Sequence, residues 1–189
     1  MAYTYRRSLG PIGFLIIVNL IVFFTALFRP DLIITQLGLQ RISLMEHPWT
    51  IITNMFVHAS FGHIFGNMLT LYFFGSYLIS LIGEKNFFIV YFAGGLLGNI
   101  FFLVLGSPIA IAIGASGAVF AVGGALTVLR PNLRVIIFPI PAPIPLWIAT
   151  VGGFLLLSFL PGIAWEAHLG GILFGAAFGY WFRRRGIYF

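Results

Sequence analysis

Residues 165–182 read WEAHLGGILFGAAFGYWF. Ala167, Gly171, Gly175 and Gly179 recur at every fourth position, so on a helix they form one smooth stripe along which a second helix backbone can approach closely. The rest of the segment is aliphatic or aromatic around the whole circumference, unlike a helix that faces water on one side. The pattern predicts a helix embedded in lipid and protein together, with an imidazole, His168, in its first turn.

The remaining chain has the same character. Of its 189 residues, 60% are hydrophobic and 7% charged, whereas an average soluble domain is about a quarter charged. Crossing about 30 Å of hydrocarbon takes about 20 mostly apolar residues. Read in turn, the apolar runs predict helices over 11–28, 60–82, 87–106, 115–130, 144–160 and 165–182. The fold class is an all-α polytopic membrane protein, with residues 1–189 forming a single six-helix domain and no separate soluble domain. Arg6 and Arg7 before the first run resemble the opening of a signal peptide, but no small-x-small cleavage site follows, so the run reads as a retained helix. Residues 29–59 hold Arg29, Asp31, Arg41, Glu46 and His47. This connection is too polar and interrupted to span and is expected in the interface, with Trp49 as an aromatic anchor.

A net charge of +6 would raise nucleic acid as a partner for a soluble protein. Here the basic residues sit in the gaps between apolar runs, where they set topology and meet anionic headgroups, so the lipid bilayer is the expected partner and nucleic acid is not. With the N-terminus inside, six crossings put Arg6, Arg7, Lys85, Arg130, Arg134 and Arg183 to Arg185 on the cytoplasmic side, leaving Arg29 and Arg41 outside. Both termini are then cytoplasmic, a pattern that suits a prokaryotic plasma membrane. Pro139, Pro141, Pro143 and Pro145 lack backbone donors and predict a short extended cytoplasmic connection.

The fourth predicted helix, 115–130, spans only about 24 Å, so its outer end begins below the membrane surface, and Ser116 sits there. The preceding residues 106–114 are apolar and contain Pro108; as a non-helical loop dipping into the membrane they are tolerable only beside protein or water, and an outward-opening aqueous cavity would satisfy them. Gly114-Ala115-Ser116-Gly117 is a turn-to-helix sequence of the kind that displays a serine hydroxyl among backbone N–H groups. Taken alone it is better read as a packing motif, since Gly and Ser are common where membrane helices touch. His168 shifts that balance. It lies at comparable depth, and Gly117, Ala121 and Ala125 form a ladder matching the stripe above, so close packing brings hydroxyl and imidazole together as a nucleophile–base pair. In a soluble core a structural histidine, bonded to a carbonyl or to Ser116, is the favoured reading. Inside a bilayer an ionisable residue is expensive and a functional role becomes the default.

No carboxylate completes a triad. Asp31 and Glu46 fall in the outer connection, Glu84 is cytoplasmic, and Glu166 is two residues from His168, on the other side of the helix. The expectation is a dyad, with the ring of Phe120, one turn beyond Ser116, beneath the imidazole. His63 and Asn67, four apart on one face of the second helix, offer donors for a developing oxyanion. His58 is expected closer to the interface, ordering the connection or touching water. A zinc site built from His58, His63 and His168 is disfavoured, because there is no His-Glu-x-x-His pair and no intramembrane carboxylate. With no cysteine either, no metal or other cofactor is expected.

The segments His58-Ala-Ser-Phe-Gly-His63-Ile-Phe-Gly-Asn67, Gly114-Ala-Ser116-Gly117 and Ala167-His168-Leu-Gly-Gly171-Ile-Leu-Phe-Gly175, in this order across six helices, resemble the rhomboid family of intramembrane serine proteases. The resemblance covers nearly the whole chain, as a minimal six-helix core. It implies Ser116 as nucleophile, His168 as general base, and an oxyanion hole of His63, Asn67 and the Ser116 backbone N–H. Substrates would be single-span membrane proteins, cut near the outer face after local unwinding, with lateral access past the fifth helix and residues 161–165. Two positions depart from the family's habit: Trp49 is followed by Thr50 where many members have arginine, and Phe120 stands where a tyrosine often stacks. Two other classes remain: a non-catalytic membrane-protein binder of the same fold, and a small transporter using His63, Asn67, Asn99 and His168 as a polar path. The second is disfavoured because these groups cluster toward one membrane face.

Overall fold

The glycine stripe occupies the centre of the bundle. A computed structural model describes residues 10–136 and 142–186, so Arg6, Arg7, Pro139 and Pro141 lie outside the described residues. Helix α8 (Trp165–Arg184) packs along α6 (Ser116–Leu129) backbone to backbone. A Cβ added to Gly171 would fall on the Gly117 carbonyl oxygen, one on Gly175 on that of Ala121, and one on Gly179 would come within 2.8 Å of that of Ala125. Stripe and ladder therefore mesh rung for rung. Helix α5 (Ser76–Leu105) joins them through Gly98, whose Cβ would strike the Ala167 carbonyl. Lipid is as apolar as the side chains, so burial alone does not drive such helices together, and the contact area gained by removing side chains does.

Around this centre, α1 (Gly10–Phe28) and the helical stretch Phe61–Leu105, broken at Gly83, are long and apolar enough to cross a membrane. The stretch consists of α4 (Phe61–Thr70), a π-helical turn over Leu71–Gly75, and α5. The sequence predicts two helices separated by residues 83–86. The structure instead reverses the chain at one residue, Gly83, with φ +78°. A positive φ carries no Cβ penalty at glycine, so no further loop residues are required. Two contacts fix the direction of α1. Its first turn sits at the Gly75 end, where Ile12 fills the space beside the glycine, and its last turns reach the start of α4, where the rings of Phe23 and Phe61 meet edge to face at 4.9 Å.

Helix α7 (Leu146–Ser158) buries only Leu146 and Thr150, and the Thr150 hydroxyl lies 3.2 Å from that of Thr127 on α6. Before α7, β4 (Ile144–Pro145) pairs antiparallel with β3 (Arg134–Val135), so the described end of the proline-rich connection is extended, as expected.

The connection over 29–59 holds α2 (Pro30–Leu37), β1 (Leu39–Gln40) and α3 (Thr50–Thr53). Within residues 106–114 a short strand, β2 (Ile111–Ala112), pairs antiparallel with β1. Protein therefore satisfies part of this loop's backbone, one of the two surroundings in which such a loop is tolerable. Gln40 Nε2 donates to the Ile109 carbonyl at 2.8 Å, and the Arg41 guanidinium donates to that of Gly106 at 2.9 Å. Arg41 thus braces the connection, while Thr50 is buried with its hydroxyl donating to the His47 carbonyl at 2.6 Å. Trp49 keeps an exposed ring and donates from Nε1 to the Gln36 carbonyl at 2.8 Å. Among the described residues the fold is a mostly helical bundle with two minimal strand pairs.

Candidate active site

Ser116 is the first residue of α6 and His168 lies in the first turn of α8. Because the Ala167 carbonyl packs against Gly117, the residues on either side of this contact are forced together: His168 Nε2 is 2.7 Å from Ser116 Oγ. The imidazole is 4% exposed. Phe120 lies against it, ring centroids 4.6 Å apart and tilted by 34°. Among the described residues His168 Nδ1 has no hydrogen-bond partner. Glu166 is buried in the same turn, where a carboxylate favours the helix N-terminus, and makes no bond to the histidine.

The turn before Ser116 is held from several sides. Gly114 has φ +115°, and a Cβ there would lie 2.6 Å from His63 Nε2, so both conformation and space require glycine. Its N–H donates to the Asn54 carbonyl at 2.8 Å. The next N–H, of Ala115, points to His58 Nε2 at 3.4 Å. Of the two roles expected of His58, ordering its connection or touching water, this contact fits the first: the loop before α4 folds inward after the buried Val57, leaving His58 only 2% exposed and its ring 4.8 Å from that of His63. His63 thereby reaches the turn. Asn67 lies one helical turn deeper, and its Nδ2 donates one hydrogen to the His63 carbonyl of its own helix at 2.9 Å.

Accepting from Ala115 requires a neutral imidazole. Burial, reinforced by His63, pushes His58 down to about 3 from its ordinary 6.5. The unfolded chain takes up this proton near pH 6.5 and the folded chain refuses it until about pH 3, so stability is lost as pH falls through that window. The thermal midpoint of the purified protein should therefore drop between pH 7 and pH 5, roughly the upper half of the interval. His58→Gln keeps an acceptor without the titration and should flatten the slope. An unchanged slope in that variant would show that His58 does not contribute.

Two residues of this region carry no functional assignment in the sequence reading: Asn54, and Asn99 as anything other than part of a polar path. Both are buried, and together with Gly114, Ser116, Gly117 and Ala167 they line a cavity of about 10 Å³. The available signal was their cost, since an amide inside an apolar bundle has to be paired. Among the described residues no group of three His, Cys, Asp or Glu is placed to hold a metal ion.

A model of the Rhomboid domain matches residues 45–185. The chain belongs to the rhomboid family. This rhomboid is 31% identical to Rhomboid protein 1, mitochondrial, of Saccharomyces cerevisiae over 167 residues, covering 76% of this chain and 46% of that protein. It is 34% identical to the Putative rhomboid protease YdcA of Bacillus subtilis over 76 residues, 40% of this chain and 38% of the relative. It is also 31% identical to Inactive RHOMBOID-like protein 8 of Arabidopsis thaliana over 127 residues, 66% of this chain and 35% of the relative. The chain spans less than half the length of each of these relatives. Family membership makes it an integral membrane protein of the helical-bundle type.

Proposed function

We propose that this rhomboid is an intramembrane serine endopeptidase working through a Ser116–His168 dyad. The observation that carries the reading is the 2.7 Å contact between Ser116 Oγ and His168 Nε2 at the ends of two helices packed backbone to backbone. Nε2 removes the hydroxyl proton as Oγ attacks a substrate carbonyl carbon, then delivers it to the leaving amine; a water, deprotonated by the same nitrogen, hydrolyses the acyl-enzyme. The negative charge that develops on the carbonyl oxygen faces the N-terminus of α6. There the Ser116 N–H, as a first-turn amide, has no intrahelical acceptor, and the helix dipole favours an anion. His63 and the second amide hydrogen of Asn67 complete this oxyanion site. Phe120 keeps the imidazole plane in place without a third catalytic group.

The substrate class is the one that the rhomboid resemblance implies, single-span membrane proteins, and the position of the site accords with it. A site near one end of an apolar bundle, beside the thinly packed α7, admits a transmembrane segment from the side, near the membrane face where a helix is most easily unwound. Six crossings place α1, the two limbs of the Phe61–Leu105 stretch, α6, α7 and α8 across the bilayer as one domain, with the dyad toward the outer face and Lys85, Arg130 and Arg183 to Arg185 inside. A prokaryotic plasma membrane suits that charge pattern.

The test is reconstitution in liposomes with a single-span reporter, together with labelling by a fluorophosphonate. Cleavage of the reporter and covalent modification at Ser116 are expected. A correctly folded protein that is neither labelled nor active would overturn the reading and leave a non-catalytic membrane-protein binder.

A further inference from the structure

We infer that Asn99, acting through Asn54, is a positioning residue for the Ser116 turn; the inference rests on the catalytic reading above. The two side chains form a reciprocal amide pair, Asn54 Nδ2 donating to Asn99 Oδ1 at 3.0 Å and Asn99 Nδ2 donating to Asn54 Oδ1 at 2.8 Å. Asn99 Nδ2 also donates to the Ile51 carbonyl at 2.7 Å, so one residue of α5 holds the end of the outer connection at two points. The backbone carbonyl of Asn54 then receives the Gly114 N–H at 2.8 Å. The path from α5 to the nucleophile is therefore Asn99, Asn54, Gly114 and, two residues on, Ser116.

The neighbour of Asn99 makes this more than an anchor for a loop. Gly98 packs against the carbonyl of Ala167, the residue before His168, and a Cβ there would strike it. One short segment of α5 thus locates both members of the dyad: Gly98 by backbone contact for the imidazole, and Asn99 by a chain of hydrogen bonds for the hydroxyl. An apolar side chain at either position fills space but supplies no direction. An amide pair buried to 2% and 3% exposure has to keep its partners, because losing one leaves a buried polar group unsatisfied. It therefore holds the Asn54 carbonyl at one distance and angle.

Asn99→Ala and Asn54→Ala test this, the second leaving α5 untouched. A displacement of about 1 Å at a reacting group costs roughly 100-fold, so kcat and the fluorophosphonate labelling rate are expected to fall together by about 10- to 100-fold, with KM unchanged. The double variant should be no worse than the more damaging single one, since both break the same link. Asn19→Ala serves as the stability control; its amide is buried in α1 and donates to the Leu15 carbonyl, and neither residue lines the cavity beside Ser116. Amide exchange at Gly114 reports the positioning even in a chain that cleaves nothing, and it should quicken in both Asn99→Ala and Asn54→Ala. If Gly114 exchange and kcat stay at wild-type values in both, or kcat falls only with the folded fraction as in Asn19→Ala, the inference is overturned. If wild type is not labelled at Ser116 while Gly114 exchange still responds to Asn99→Ala, the positioning stands and the catalytic reading fails instead.

Discussion

Under the proposed dyad, Ser116→Ala is expected to remove peptide-bond cleavage from the reconstituted protein, with kcat lower by at least about 1000-fold. Among the described residues the hydroxyl is the only group within hydrogen-bonding distance of His168 Nε2 that can form an acyl-enzyme, and the oxyanion donors retained in the variant can assist only direct attack by water. His168→Ala is expected to cost a similar factor, because an unassisted serine is a weak nucleophile at neutral pH. The double variant should be little worse than either single one, since the two residues act as one unit. Stability moves much less than activity. Loss of the serine leaves one nitrogen of a buried imidazole without its partner, a penalty of about 1–3 kcal/mol, which lowers the thermal midpoint without unfolding the bundle. Measured turnover of a single-span reporter near the wild-type rate in Ser116→Ala would remove the nucleophile assignment altogether.

The parts of this arrangement that could be read before the structure are those written in helical periodicity. Gly171, Gly175 and Gly179 repeat at a helical spacing, and so do Gly117, Ala121 and Ala125, which is why the α6–α8 contact and the meeting of Ser116 with His168 were visible in advance. Phe120 follows from the same arithmetic, one turn from Ser116. Periodicity says nothing about backbone dihedrals, so the reversal at Gly83 appeared as a four-residue connection. It is equally silent on contacts between irregular segments. The pairing of Leu39 and Gln40 with Ile111 and Ala112 joins residues far apart in the chain through two-residue strands, too short for any alternating pattern. The contact between His58 and the Ala115 N–H was hidden for the same reason, since His58 lies in a loop beside the buried Val57 with no period to read. The Arg41 guanidinium, which donates to the Gly106 carbonyl across an irregular segment, was hidden in the same way.

Close approach of backbones is what converts these side chains into a site, and Gly171→Val puts that dependence at risk most directly. The added Cβ would fall on the Gly117 carbonyl oxygen and lie 3.4 Å from the Ala121 nitrogen. Both are backbone atoms that no rotamer change can move, so α8 has to withdraw from α6. His168 is three residues, less than one turn, from the point of contact, and its 2.7 Å approach to Ser116 does not survive a separation of even an ångström. Overpacking of this kind costs about 1–3 kcal/mol or more, and the lost geometry costs about 100-fold or more in kcat. Activity and thermal midpoint should therefore fall together, with Gly171→Ala intermediate between wild type and valine. Gly153→Ala is the matching control, since a Cβ at that position of α7 has nothing within 4 Å, and it should leave both quantities unchanged. A Gly171→Val protein that cleaves at the wild-type rate would mean that the dyad does not depend on this contact, and that the two helices can part without separating serine from histidine.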